Sequence, residues 1–299
     1  MYEKCTLCAR SCGANRAAGD IGYCGMSDKL FVSRAAKHYW EEPIISGTRG
    51  SGTVFFSGCS LRCIYCQNAD ISRGVSGKEI SEERLAEIFL ELEADGAHNI
   101  NLVTPTHFVP SIVRSVSSAR ELGLTLPIVY NTASYESSEC LDLLRGTVDV
   151  FLPDLKYYRS ETAALYSNAG DLPEVSRAAI DKMISMTGEP VLNSEGLITR
   201  GTVVRLLLLP SHLAEAKLNL RYLYEHYGNG IYISLMSQYT PPPSMPSPLD
   251  RRVTLAEYRE LVAYAERLGV VNAFTQERES AKESFIPPFD NTGVIGTKN

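Results

Sequence analysis

The chain has no run of about 18 uninterrupted apolar side chains, the length that crosses a bilayer as a helix. Its opening segment, MYEKCTLCARSCG, also lacks the apolar core of a signal peptide. No membrane association is expected, and the cytoplasm is the expected compartment. Long runs of one charge sign are missing as well. A net charge of -6 without clustered Lys and Arg argues against a nucleic-acid binder that works through a basic surface. The 44% hydrophobic and 21% charged composition excludes a disordered chain and allows a substantial core. A length of 299 residues suits one large α/β domain with a short appendage.

What the sequence does have is cysteine near its start. Seven of the eight lie before position 67, and in a reducing compartment clustered thiols more often bind metal than form disulfides. Cys5, Cys8, Cys12 and Cys24 are spaced C-x2-C-x3-C-x11-C, four thiolates that can close a metal site with no open position. Zinc and an iron–sulfur cluster both accept such a set. Cys59, Cys63 and Cys66 follow as C-x3-C-x2-C. Three thiolates on one short loop can grip three corners of an iron–sulfur cube and leave the fourth iron open to a small ligand. Cys140 stands apart in SSECLDLLRG and reads as the buried face of a short helix.

From about position 50 the chain alternates apolar β-branched runs with longer amphipathic ones, the pattern of βα units around a parallel sheet. Strands are expected at Thr53 to Gly58, Asn99 to Thr104, Pro127 to Thr132, Val148 to Asp154, Thr202 to Pro210 and Ile231 to Met236, and VVNAFT adds a further candidate. Their near-continuous apolarity predicts burial on both faces. Helices are expected after Ser81, an N-cap with Gly96 as the stop, and after Thr254, whose spacing to Glu257 is that of a capping box closed by Gly269. Gln238 to Pro248 is too rich in proline for helix or sheet and reads as a surface loop or lid. Residues 1–45 form no βα unit and read as a metal-stabilised cysteine-rich extension, with 46–299 as the main domain.

The run GCSLRCIYCQN sits directly behind the first expected strand, at what would be the C-terminal mouth of a barrel. It resembles the signature of the radical S-adenosylmethionine (SAM) superfamily, and within it proteins related to the pyruvate formate-lyase activating enzyme. The resemblance implies a partial TIM-type (β/α)6 barrel that carries a [4Fe–4S] cluster on Cys59, Cys63 and Cys66. It further implies that SAM chelates the open iron and is cleaved by one electron to a 5′-deoxyadenosyl radical, which abstracts hydrogen from the substrate. Tyr65 matches the position lying against adenine. Thr104, Thr106 and His107 stand where the family has a turn receiving the methionine amino group, although TPTHF departs from that pattern and suits a helix-capping turn equally. Asn131 and Thr132 match a segment that meets the ribose and methionine parts of SAM.

Asp154 and Lys156, in an Asp-Leu-Lys run, match glycyl-radical activating enzymes. Being two apart on an extended segment, they face the same side. Arg205 lies within an apolar strand and needs a partner, which a SAM carboxylate or a buried Asp or Glu would supply. Gln238 follows the next strand, and His98 reads as a packed histidine. The N-terminal cysteines resemble an extension of the activating-enzyme-related branch and would hold zinc or a second [4Fe–4S] cluster. The resemblance also implies a flavodoxin or ferredoxin as electron donor and a glycyl-radical enzyme as possible partner. Modification of another peptide, RNA or small molecule, or a simple iron–sulfur electron carrier, are the other functions this sequence admits.

Overall fold

The computed structural model of the chain describes residues 1–74, 76–276 and 286–296. Strands β1 (Leu30–His38), β2 (Ser51–Phe56), β3 (Lys78–Ile80), β4 (Ile100–Val103), β5 (Ile128–Thr132), β6 (Val150–Pro153), β7 (Val191–Leu192), β8 (Ile198–Leu207), β9 (Tyr232–Met236) and β10 (Ala273–Thr275) join one sheet. Their order is β10-β9-β8-β6-β5-β4-β2-β1-β3, with β7 paired to β8. From β2 to β10 along this path every pair is parallel, and β10 and β3 remain the two ends of a partial barrel.

Parallel neighbours require crossovers, and helices supply them. Glu82–Ala94 precedes β4, Val109–Glu121 leads to β5, Leu172–Thr187 lies between β6 and β8, Leu213–Tyr227 leads to β9 and Leu255–Leu268 leads to β10. Every residue of β2, β4, β5 and β6 is buried, as apolar strands covered on both faces must be. The expected helix signals are used. Ser81 Oγ accepts the Arg84 amide, Thr254 and Glu257 form the capping box, and Gly269 ends its helix with φ 88°. Cys140 is fully buried in the short helix Ser138–Leu143. No helix among the described residues is long and apolar enough to cross a membrane.

Two faces of the strands do different work. Val54, Phe56 and Leu102 point outward to Leu85, Ile88 and Phe89 in the main core, where each large side chain contributes about 1.5–3 kcal/mol by leaving water. Inward, Val129, Val150, Leu152 and Val203 pack on Ile44 and Ile45 of the one-turn helix Pro43–Ser46, which plugs the end where the parallel strands begin. Residues two apart share a face. The same inner face therefore turns polar toward the strand C-termini, at Asn131 after Val129, Asp154 after Leu152 and Arg205 after Val203.

The extension expected over residues 1–45 is shorter than that. Leu30–His38 is a strand hydrogen-bonded antiparallel to β2 and to β3, so the sheet begins before the expected boundary. Its sequence, LFVSRAAKH, mixes charged and apolar residues without a clean period of two, because one flank is buried and the other half-exposed. The residues before β1 stand apart from the sheet. They dock at its mouth through Ala9, whose amide donates to the Tyr135 carbonyl at 3.0 Å, and through Leu7, whose carbonyl accepts from the Ser137 amide at 3.1 Å.

Candidate active site at the mouth of the sheet

The loop after β2 turns on Gly58, where φ is 89° and an added Cβ would stand 2.6 Å from Met26 Cγ and 2.8 Å from the Cys24 carbonyl oxygen. Only glycine fits so close an approach. Beyond it the Cys59 amide donates to that same Cys24 carbonyl at 3.2 Å, and the Leu61 amide donates to Cys59 Sγ at 3.4 Å. Cys63 Sγ lies 2.9 Å from Ser167 Oγ, which is 2.7 Å from the Tyr157 hydroxyl, and Tyr157 donates to the Tyr65 hydroxyl at 2.8 Å. This chain of polar groups fixes the loop against the helix Ser160–Ser167. Tyr157 and Ser167 carry no motif that would single them out in the sequence.

Cys63 and Cys66 line a cavity of about 460 Å³ together with Tyr65, Asn131, Asp154, Lys156, Arg205 and Gln238. Burial pushes the Cys63 thiol up to about 12 and raises Cys66, while the neighbouring Lys156 cation acts in the opposite direction on both. Buried thiols of this kind ionise when a metal takes the proton's place. Three thiol donors on one loop, with an amide hydrogen bond to one sulfur and a cation close by, are the donor set a [4Fe–4S] cluster takes at three corners.

Arg205 receives a buried partner set. Its Nε donates to Asp154 Oδ1 at 2.7 Å and its other nitrogens reach Asn131 Oδ1 at 2.6 Å and Glu41 Oε2 at 3.4 Å. Lys156 Nζ bonds the second Asp154 oxygen at 2.5 Å. Burial works against the Asp154 charge, but the Arg205 and Lys156 cations outweigh it and hold its carboxyl below the usual range. Glu41 is raised instead, by burial, despite Arg205 and the Asn101 amide. Of the two partner types open to Arg205, the chain itself supplies the carboxylates. Gln238 marks the start of a loop without helix or strand, tied to the cluster loop where Gln67 Nε2 donates to the Gln238 carbonyl at 2.8 Å.

Thr104, Thr106, His107 and Thr132, expected at the SAM pocket, do not line this cavity. Thr106 Oγ1 donates to Glu136 Oε1 at 2.6 Å, and Thr132 donates to the same buried oxygen. His107 Nε2 is 2.7 Å from the Ser57 carbonyl, and burial, with the Arg16 charge, lowers its pKa to about 3. Buried polar groups take the nearest partners, here Glu136 and the carbonyl of Ser57 just before Gly58. Thr104 follows β4 with φ 57°, a left-handed conformation that costs a β-branched residue about 1–3 kcal/mol. His98 is packed, its Nε2 accepting the Arg49 amide at 3.2 Å.

The structure adds Tyr39, Trp40, Glu41 and Glu42 to the cavity wall. An acidic pair before proline reads as an exposed helix start, so the only hint in the sequence was the need of Arg205 for a carboxylate.

The four N-terminal cysteines form a second group above the first. An ideal Cβ on Gly22 would lie 3.5 Å from both Cys12 Sγ and Cys24 Sγ. Burial raises Cys8 to about 12 and also raises Cys24, whereas at Cys12 backbone amides of Ala14 and Tyr23 overcome burial and lower it. Among the described residues no three Cys, His, Asp or Glu side chains close on a single metal ion. Arg16 is fully buried beside this group. It donates to the carbonyls of Met26 at 3.1 Å and His107 at 2.7 Å and reaches Cys5 Sγ at 3.7 Å.

Known proteins bear on this arrangement. The family model described as the radical SAM superfamily matches residues 53–200. The uncharacterized protein MJ0674 of Methanocaldococcus jannaschii is 26% identical over 282 residues, covering 90% of this chain and 76% of that protein. Among solved structures, HydG, a maturase of the [FeFe]-hydrogenase, superposes with a TM-score of 0.51 at 16% identity over 76% of this chain and 52% of its own. SuiB of Streptococcus suis superposes with a TM-score of 0.51 at 11% identity, over 77% of this chain and 49% of its own. The chain thus spans about half the length of these solved structures, and the likeness is one of fold. The three cysteines spaced C-x3-C-x2-C lie just beyond the first strand of the segment, residues 53–200, that is similar to the radical SAM superfamily.

Proposed function

We propose that the chain is a radical SAM oxidoreductase that cleaves SAM reductively and uses the resulting radical for hydrogen abstraction. The observation that carries this reading is the opening of Cys63 and Cys66, with Tyr65 between them, into the same cavity as Asn131, Lys156 and Arg205. When bound, a [4Fe–4S] cluster on Cys59, Cys63 and Cys66 supplies the electron that cleaves the sulfonium and so delivers a 5′-deoxyadenosyl radical. The protein's part is orientation and exclusion of water. Tyr65 is held by the Tyr157 hydroxyl and offers a ring face for adenine, while Asn131, Arg205 and Lys156 present polar groups to the ribose and methionine parts. Gln238 and the loop that follows it cover one side.

Within this reading, the Asp154-Leu155-Lys156 run favours a glycyl-radical enzyme as the partner whose backbone glycine gives up hydrogen, with a flavodoxin or ferredoxin as electron donor. For Cys5, Cys8, Cys12 and Cys24 we propose a closed metal centre, zinc or a second [4Fe–4S] cluster. A fully buried Arg16 with no ion pair among the described residues supports it, because a buried charge needs a counter-charge and four metal-bound thiolates provide one.

The test is anaerobic reconstitution with iron and sulfide, then dithionite and SAM, with 5′-deoxyadenosine as the product measured. The parent is expected to form it, and a variant carrying Cys59→Ala, Cys63→Ala and Cys66→Ala is expected to form none. A loaded, reduced parent that gives no product and no change in its cluster EPR signal on adding SAM would overturn the assignment in favour of an electron carrier.

A further inference from the structure

Among the described residues that line the cavity, Glu42 alone has a buried side-chain oxygen, Oε2, without a hydrogen-bond partner. The residue is 7% exposed. It occupies the N-cap of the helix Pro43–Ser46, where an acidic side chain ordinarily accepts a backbone amide, yet its carboxylate makes no capping bond. The backbone around it is pinned. The Ile45 and Ser46 amides donate to the Glu42 carbonyl at 2.8 and 3.0 Å, and Ser46 Oγ accepts the Glu41 amide at 3.1 Å. A fixed backbone, an unused cap and an unpartnered oxygen leave the carboxylate at the cavity wall short of a partner.

Charge gives the chemistry of what it would meet. Among the described residues of the cavity wall, Arg205 and Lys156 face Asp154, Glu41 and Glu42, two cations against three carboxylates. Asp154 takes both cations in ion pairs and Glu41 shares Arg205, whereas Glu42 feels the Arg205 charge without an ion pair among the described residues, and burial raises its carboxyl above the usual range. A cation beside Glu42 would complete its hydrogen bonding and also offset the burial that works against its charge, which a neutral donor does less well. Tyr39, Trp40, Phe55 and Phe274 add aromatic wall, which also favours a cation over a neutral group.

Position gives the role. β1 runs antiparallel to β2 and pairs His38 with Ser51, so the segment after it returns to the end where β2 starts. Cys63 and Cys66 follow the opposite end. β2 has six residues, which separates its ends by roughly 20 Å at about 3.3 Å per residue. Glu42 therefore meets the part of a bound molecule farthest from the cluster cysteines.

We propose that Glu42 anchors the substrate through a cationic group, an alkylammonium or a guanidinium, so that the rest of the substrate reaches toward the cluster end of the cavity. This rests on the reading of the cavity as a radical SAM active site. Free amines and basic peptide side chains share the chemistry, and the test includes both.

Saturation-transfer NMR titrations on the reconstituted full chain would compare n-butylammonium, methylguanidinium and Nα-acetyl-lysine amide with the uncharged n-butanol and Nα-acetyl-norleucine amide. The cations are expected to bind the parent at least tenfold more tightly than their neutral counterparts. That preference is expected to disappear in Glu42→Gln and to persist in part in Glu42→Asp. A response to the lysine amide alone would identify a peptide side chain, and a response to the simple cations alone a small amine. Equal binding of charged and neutral probes by the parent, or an undiminished preference in Glu42→Gln, would overturn the proposal. The cluster's EPR response to SAM is read on the same parent sample. Its absence would sink the radical SAM reading while the probe titrations still decide the role of Glu42.

Discussion

Arg205 and His107 show how far single residues can be read without a fold. A guanidinium inside TVVRLLLLP has to find a carboxylate, and it finds Asp154 one strand away and Glu41 far back in the chain. The need was legible in the apolar run, but the identity of Glu41 depended on a loop that the sheet's curvature brings inward. His107 followed a strand and so read as a pocket residue. The turn after β4 sets its ring against the Ser57 carbonyl, beside the cluster loop. Its buried ring is held neutral, with the folded pKa depressed to about 3 from an ordinary value of 6.5. A depressed histidine contributes stability that is fully present above the unfolded value and is lost as protons bind the unfolded chain. Stability is therefore expected to fall as pH drops from about 6.5 toward 3, as unfolding of the anaerobic protein in urea would report. His107→Gln should flatten that fall. It should not abolish it, because burial and the Arg34 charge also depress His38, to about 4. An unchanged slope in His107→Gln would refute the assignment of this window to His107.

At the scale of elements, those with local signals were legible. Capped helices announced themselves through Ser81, Thr254 and Gly269, and the buried parallel strands through runs such as IVYNT and VFLP. β1 and β3 were not, because antiparallel edge pairing is decided by partners rather than by their own pattern, and β3 has only three residues. The cluster loop was legible in its cysteines, but its shape is set by a contact the spacing does not reveal, the meeting of Gly58 with Met26 and Cys24. Gly58→Ala places a methyl group 2.8 Å from a backbone oxygen at a φ of 89° that alanine disfavours. The loop and the N-terminal segment cannot both keep their positions. Iron bound per chain after reconstitution is expected to drop severalfold, with a lowered midpoint of thermal unfolding. Full iron loading and an unchanged midpoint would show that the contact yields easily.

Across the whole molecule, the two cysteine groups are mechanically joined. Besides the bond between Cys24 and Cys59, Arg10 donates to the carbonyls of Ser60 at 3.1 Å, Ser167 at 3.2 Å and Asn168 at 2.5 Å, so one side chain ties the N-terminal segment to the cluster loop and to the helix behind it. Changing Cys5, Cys8, Cys12 and Cys24 together to serine should remove one zinc ion or the irons of one cluster, and metal analysis of parent and variant tells which. It should also lower thermal stability, since Arg16 would lose its counter-charge. Unaltered metal content would mean that these thiols bind none.

The seat of the N-terminal segment also has a temporal side. Ala9 and Leu7 are held by Tyr135 and Ser137, residues that exist only once β5 has been made and packed. Contacts this distant in sequence form late, since the intervening chain must first be ordered. Cys5, Cys8 and Cys24 emerge before β5 during synthesis yet settle into place only after it, and their exposure to oxygen lasts as long as that part of the sheet takes to assemble.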